Sequence, residues 1–131
     1  MTDAADASAS DRPWLVFVRG QRLFAVPATD VRLVLPTPRL SVFPTGFEQM
    51  LGLFAHRGKI YPLVDPNDDH TTSGINSPIA IVTATESGEV AWVADQIRAI
   101  ERGIDSAVVE INPSELAQRA REAMRRSTRL G

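Results

Sequence analysis

Few side chains in this sequence are placed to do chemistry. It contains two histidines, His56 and His70, and no cysteine. The absence of thiols excludes disulfides, thiolate metal sites and a cysteine nucleophile, and two histidines alone do not make a zinc site. No serine stands in a G-x-S-x-G elbow, so nothing proposes a nucleophile with its base and orienting group. Gly52 to Lys59 sets two glycines ahead of a lysine, as a phosphate loop does. The spacing is one residue too long, and Ile60 stands where Ser or Thr would hold magnesium. Asp65-Pro66-Asn67-Asp68-Asp69-His70 has oxygen side chains at alternate positions, like the start of a calcium loop. His70 fills the glycine position of such a loop and Asn76 the position of its bidentate Glu, so a plain polar loop is expected there. The reading is a protein without enzyme activity, resident metal or cofactor.

What remains is a displayed cation. Leu51 to Ala55 and Ile60 to Val64 are apolar, strand-like runs, and between them lies His56-Arg57-Gly58-Lys59. Gly58 can take a positive φ and so shape the turn. Arg57 offers a planar fork of five donors, suited to carboxylates or carbonyls on a partner. The alternative is a structural arginine tied to nearby carbonyls or to Asp65.

The elements that would position this turn are short. Trp14 to Val18 and Arg22 to Val26 read as a hairpin around Arg19-Gly20-Gln21, closed by Pro27. Val31 to Leu35 alternates, with Val31, Leu33 and Leu35 on one face and Arg32 and Val34 on the other. Pro36 and Pro38 end it. Pro44-Thr45-Gly46 is a turn signal, with room for one helical turn over Phe47 to Met50. Pro66 to Ser77 is a loop. Ile79 to Thr85 and Glu89 to Ala94 form a hairpin around Glu86-Ser87-Gly88, followed by strands over Gln96 to Glu101 and Val108 to Ile111. Asn112-Pro113-Ser114-Glu115 then starts a helix over about 113–126, with Asn112 as N-cap, Pro113 in the first turn and Glu115 at the capping-box position. Leu116, Ala120, Ala123 and Met124 share its apolar stripe. From Pro113 onward there are five Arg against two Glu. Many short strands, a turn signal about every ten residues and one helix spell an all-β barrel or sandwich.

Composition narrows the class further. The 131 residues suffice for one domain with a real core. The net charge is −2, so no overall field draws in nucleic acid or anionic membrane. Trp14, Phe17, Phe24, Tyr61 and Trp92 sit within apolar strand patterns and not among basic residues, which argues against single-strand nucleic-acid binding. No apolar run reaches the roughly 20 residues of a membrane helix, and Met1 to Asp11 lacks a signal peptide's basic start and apolar stretch. Residues 1–12 are expected to form a disordered polar arm and the protein to be cytoplasmic.

Four stretches resemble the CheW-like domain family, the scaffold module of bacterial chemosensory arrays. Trp14-Leu15-Val16-Phe17 with Leu23-Phe24-Ala25-Val26-Pro27 is similar to its opening hairpin, and Asp30-Val31-Arg32-Leu33-Val34 to its next strand. Phe43-Pro44 with Gly52 to Asp65 resembles its "lP…GvinlRGkiiPvvDLr" motif, the most specific of the four. Glu89 to Ile97 resembles "vGlvVDeV". The resemblance implies two small SH3-like five-stranded barrels sharing a core, here with one incomplete where a C-terminal hairpin is lost. It implies a non-catalytic adaptor between methyl-accepting chemoreceptor signalling tips and the regulatory domain of a CheA-type histidine kinase. Such an adaptor is recruited to membrane-anchored arrays without inserting into the membrane. By motif, Arg57 matches the arginine linked to receptor coupling, with His56 and Gly58 beside it. Val31 and Leu33 match the strand near the groove that accepts the receptor tip. Ala55-His56 stands where the family usually has Asn-Leu, and Leu33 where it has Glu. The alternative is a CheW-like scaffold or polarity protein that binds a different partner.

Overall fold

The computed structural model describes residues 12–37, 39–41, 49–67, 79–104 and 106–130, with side chains of the last helix described through Arg125. The chain opens with the expected hairpin, β1 (Pro13–Arg19) and β2 (Arg22–Pro27), in which Arg19 faces Arg22. A single 3-10 turn, Ala28–Asp30, leads into β3 (Val31–Pro36). A second hairpin follows, β4 (Met50–His56) and β5 (Lys59–Val64), then a third, β6 (Ile79–Thr85) and β7 (Gly88–Ala94). β8 (Gln96–Arg102), β9 (Val108–Glu110) and the helix α1 (Pro113–Leu130) complete the order.

The strands form two sheets, in the orders β8-β1-β2-β9 and β3-β6-β7-β5-β4. Most neighbours are antiparallel; β2–β9 and β5–β7 are parallel. In the five-stranded sheet the chain beyond β3 comes back to β4. Ser41 N donates to Leu53 O at 2.8 Å and Leu53 N to Ser41 O at 2.9 Å. This approach needs Gly52, because a Cβ there would lie 2.7 Å from the Ser41 carbonyl oxygen. The other sheet has four strands instead of five, and β8 and the three-residue β9 are its edges.

Side-chain alternation sorts the apolar residues into three clusters. Tyr61, Leu63, Val82, Ala91 and Val93 pack inside the five-stranded sheet, and Trp14, Val16 and Ala25 inside the four-stranded one. The opposite faces of the same strands supply Leu15, Phe17, Phe24, Val64, Ile81 and Trp92 to a core that both sheets share. Strands buried on both faces read as nearly continuous apolar runs, which is why β1, β6 and β7 stand out in the sequence. The polar tip of Trp92 at the centre is satisfied: Nε1 donates to Thr83 Oγ1 at 2.9 Å. All five aromatics assigned to the core are buried.

α1 roofs the shared core. Ile111, Ala117, Ala120 and Ala123 are buried in it, with Leu116 and Met124 packed at the margin. Small residues on that stripe let the helix backbone approach the sheets closely. Asn112 caps it, accepting from Glu115 N at 3.4 Å. The helix runs to Leu130, one turn past the expected end at about 126, because no Gly or Pro interrupts it before Gly131. The arm at 1–11, the turn over Phe47–Met50 up to residue 48, and most of the 66–77 loop lie outside the described residues. Arg12 is described: its carbonyl accepts from Gly103 N at 3.3 Å.

Candidate interaction site

The turn between β4 and β5 has two residues. His56 pairs with Lys59 across it, and both Arg57 (φ 52°) and Gly58 (φ 82°) are left-handed. Positive φ at both central positions defines a type I′ turn, whose twist matches that of the strands it joins. A Cβ on Gly58 would meet nothing within 4 Å, so the dihedral alone calls for glycine there. Arg57 has no such freedom, and its left-handed conformation costs on the order of 1 kcal/mol. The glycine was readable from sequence; the strained arginine beside it was not.

Arg57 is exposed, and among the described residues it has no hydrogen-bond or ion-pair partner. His56 is half-buried. Lys59, by contrast, donates to Glu89 Oε1 at 3.1 Å, and this hydrogen bond, with the Glu89 charge, raises the lysine pKa above its ordinary value. Among the described residues the Arg57 guanidinium therefore keeps its donors unspent.

Asp65, the carboxylate named in the structural alternative for Arg57, is bonded to another arginine. Arg19, 3% exposed, forks onto it: Nε donates to Oδ1 at 3.1 Å and Nη2 to Oδ2 at 2.8 Å. Arg19 Nη1 also reaches Asp95 Oδ1 at 3.3 Å, and Asp95 Oδ2 accepts from Gly20 N at 2.7 Å. Asn67 N donates to Asp65 Oδ1 at 3.0 Å. One buried cation thus joins the end of β1 to the end of β5 and to the β7–β8 junction. Burial by itself would lower the Arg19 pKa. The hydrogen bonds and charge of Asp65, with Asp95 adding, overcome that and raise it. Asp65 and Asp95 stood out within motifs, but Arg19 read only as a turn residue. Nothing in the sequence shows which strand end it faces.

Val31 and Leu33 lie on β3, at the other end of the strand order from β4. Both are half-buried: Val31 packs against the shared core and Leu33 against the cluster inside the five-stranded sheet. The outward face of β3 carries Arg32 and Val34, the latter 44% exposed. The candidate residues therefore form two groups, a polar hairpin tip and an inward-turned strand with β6 and β7 between it and β5. Among the described residues no group of three or more His, Cys, Asp and Glu side chains is arranged to hold a metal ion.

The sequence pattern of the CheW-like domain matches residues 13–131. The chain belongs to the CheW-like domain family. This family comprises non-catalytic chemotaxis scaffolds and adaptors whose members generally bind chemoreceptors and CheA. Among solved structures, the scaffolding protein TtCheW from Thermoanaerobacter tengcongensis is similar at a TM-score of 0.60 and 17% identity. The match covers 72% of this chain and 67% of that one, and it carries the fold. No curated protein matches. In this CheW-like chain the described helix is not long and apolar enough to cross a membrane.

Proposed function

We propose that this CheW-like protein is an adaptor that couples chemoreceptor signalling tips to a CheA-type histidine kinase, in the cytoplasm at membrane-anchored arrays. The observation that carries the reading is Arg57. It is held out by a two-residue turn, unpaired among the described residues, at the position where the family motif has its coupling arginine. Such a fork pairs with carboxylates or with the carbonyls at a helical hairpin tip. Gly58 shapes the turn and His56 flanks the guanidinium. Val31 and Leu33 set the position of β3 from within, so that Arg32 and Val34 line the surface on that side.

The test is direct. Purified protein is titrated with a kinase regulatory domain and, separately, with a receptor signalling-tip fragment. Complexes are expected at Kd values of about 10 μM or tighter, and Arg57→Ala should weaken the receptor complex without unfolding the chain. If neither complex forms at several tens of micromolar, the adaptor reading fails.

A further inference from the structure

Where β1 begins, β2 ends and α1 starts, the surface opens into a cavity of about 580 Å³. Its floor is apolar: Trp14, Pro27 and Ile111 are buried there. Trp14 faces Pro27 across the β1–β2 ladder and belongs to the cluster inside the four-stranded sheet. Only 8% of Trp14 is exposed, yet its indole N–H has no hydrogen-bond partner among the described residues. Trp92, by contrast, spends its N–H on Thr83. A buried indole usually finds an acceptor for this group. Among the described interior residues, Thr37 Oγ1 is the sole polar side-chain atom sealed from water without a partner. The Trp14 donor is therefore open, and it opens on the cavity that its ring lines.

Charge identifies the occupant. Asp30 from the 3-10 turn, Glu86 from the β6–β7 turn and Glu110 from the end of β9 stand around the rim. None of the three carboxylates has a partner among the described residues. Arg12 is the one cation of the rim, and its guanidinium lies 6.0 Å from the Trp14 ring centre. The lining thus carries a net charge of 1 − 3 = −2. These carboxylates encircle the cavity without converging, and among the described residues no such group is arranged to hold a metal ion. A free cation would also leave the apolar floor and the indole donor unanswered. An arginine or lysine within a peptide answers all three. Its aliphatic stem covers the floor, its charge meets the rim, and a backbone carbonyl accepts from the indole.

We propose that this cavity docks a basic peptide segment of a partner protein. A cationic side chain lies over Trp14, Pro27 and Ile111 with its charge at Glu86 and Glu110, and a peptide carbonyl accepts from Trp14 Nε1. The probe is a labelled synthetic peptide with Arg at alternate positions and Leu between them, beside a twin with Glu for every Arg. Saturable binding of the Arg peptide to the full chain is expected, with the Glu twin at least about tenfold weaker. The chain has two tryptophans. The indole N–H resonance of Trp14 should move on titration while that of Trp92, already bonded, stays in place. Glu86→Lys and Glu110→Lys, both at exposed positions, should each lower affinity about fivefold or more and leave the melting curve unchanged. No saturable binding, equal binding of the twin, a still Trp14 resonance or indifference to Glu110→Lys overturns the proposal. So does displacement of the peptide by an equal concentration of spermidine, which would mark the rim as a site for free cations. Arg57 does not line this cavity, and Arg57→Ala should leave peptide binding unchanged, so this reading and receptor coupling can each fail alone.

Discussion

An arginine in left-handed conformation is an expensive way to make a turn. Asn-Gly is the favoured pair for a type I′ hairpin, and Arg57-Gly58 departs from it at the residue whose side chain projects into solvent. Backbone strain at a side chain that is exposed and unpaired among the described residues fits the contact role proposed for Arg57. Arg57→Asn is therefore expected to raise stability by a few tenths to about 1 kcal/mol in urea unfolding while weakening receptor binding. A less stable variant would return Arg57 to a structural role. Gly58→Ala should do the reverse and cost about 1 kcal/mol, although the space for a methyl group is open. Gly58 could be assigned from sequence because only one residue type supplies that freedom. The dihedral of Arg57 could not, since arginine carries no such signal.

At the level of elements, the sequence was most legible where a strand is buried on both faces or a helix has a capped start. β1, β2, β6, β7 and the Asn112-capped start of α1 lie where apolar runs and turn residues put them. Pairing was not legible, because β9 joins β2 in parallel from the far end of the chain and no local pattern encodes that. The alanine stripe was only partly read. Ala117 is buried as fully as Ala120 and Ala123, yet alanine is too weakly apolar to announce a core face. Close packing on that stripe predicts that Ala120→Leu will destabilise by roughly 1–3 kcal/mol, since a filled core does not accept added methylenes. Gly52→Ala should cost a similar amount, roughly 1–3 kcal/mol, by pushing β4 away from the Ser41 carbonyl. Both are read from denaturation midpoints, and an unchanged midpoint would show that the backbone yields freely at that point.

On the scale of the whole molecule, Arg19 is the joint between the two sheets. Removing one member of a buried ion pair strands the other, so Asp65→Ala should destabilise by about 3–5 kcal/mol. Asp95, whose side chain is 37% exposed, should matter less. The pH dependence follows from the direction of the Arg19 shift. Its pKa is higher folded than the ordinary arginine value, so its contribution is complete below that value and is lost only as pH rises through the folded one. Both lie above the range in which the chain is handled. Unfolding free energies measured from about pH 7 to about pH 10 should therefore show no alkaline loss attributable to this joint. A stability drop in that window that disappears in an Arg19→Met variant would contradict the assignment.

The parallel pairing of β2 with β9 also governs how the chain can assemble as it is made. Ala25 waits for Glu110, and the alanines that roof the shared core come later still. Until the ribosome has delivered them, β2 keeps an open edge and Phe24 and Val26 have no lid. The β3–β7 half can close on itself earlier, because its strands are neighbours in the order of synthesis. A nascent chain stalled before Val108 would thus present a finished sheet beside an unfinished, sticky one. Holdase chaperones and quality-control proteases bind and clear that kind of half-built intermediate.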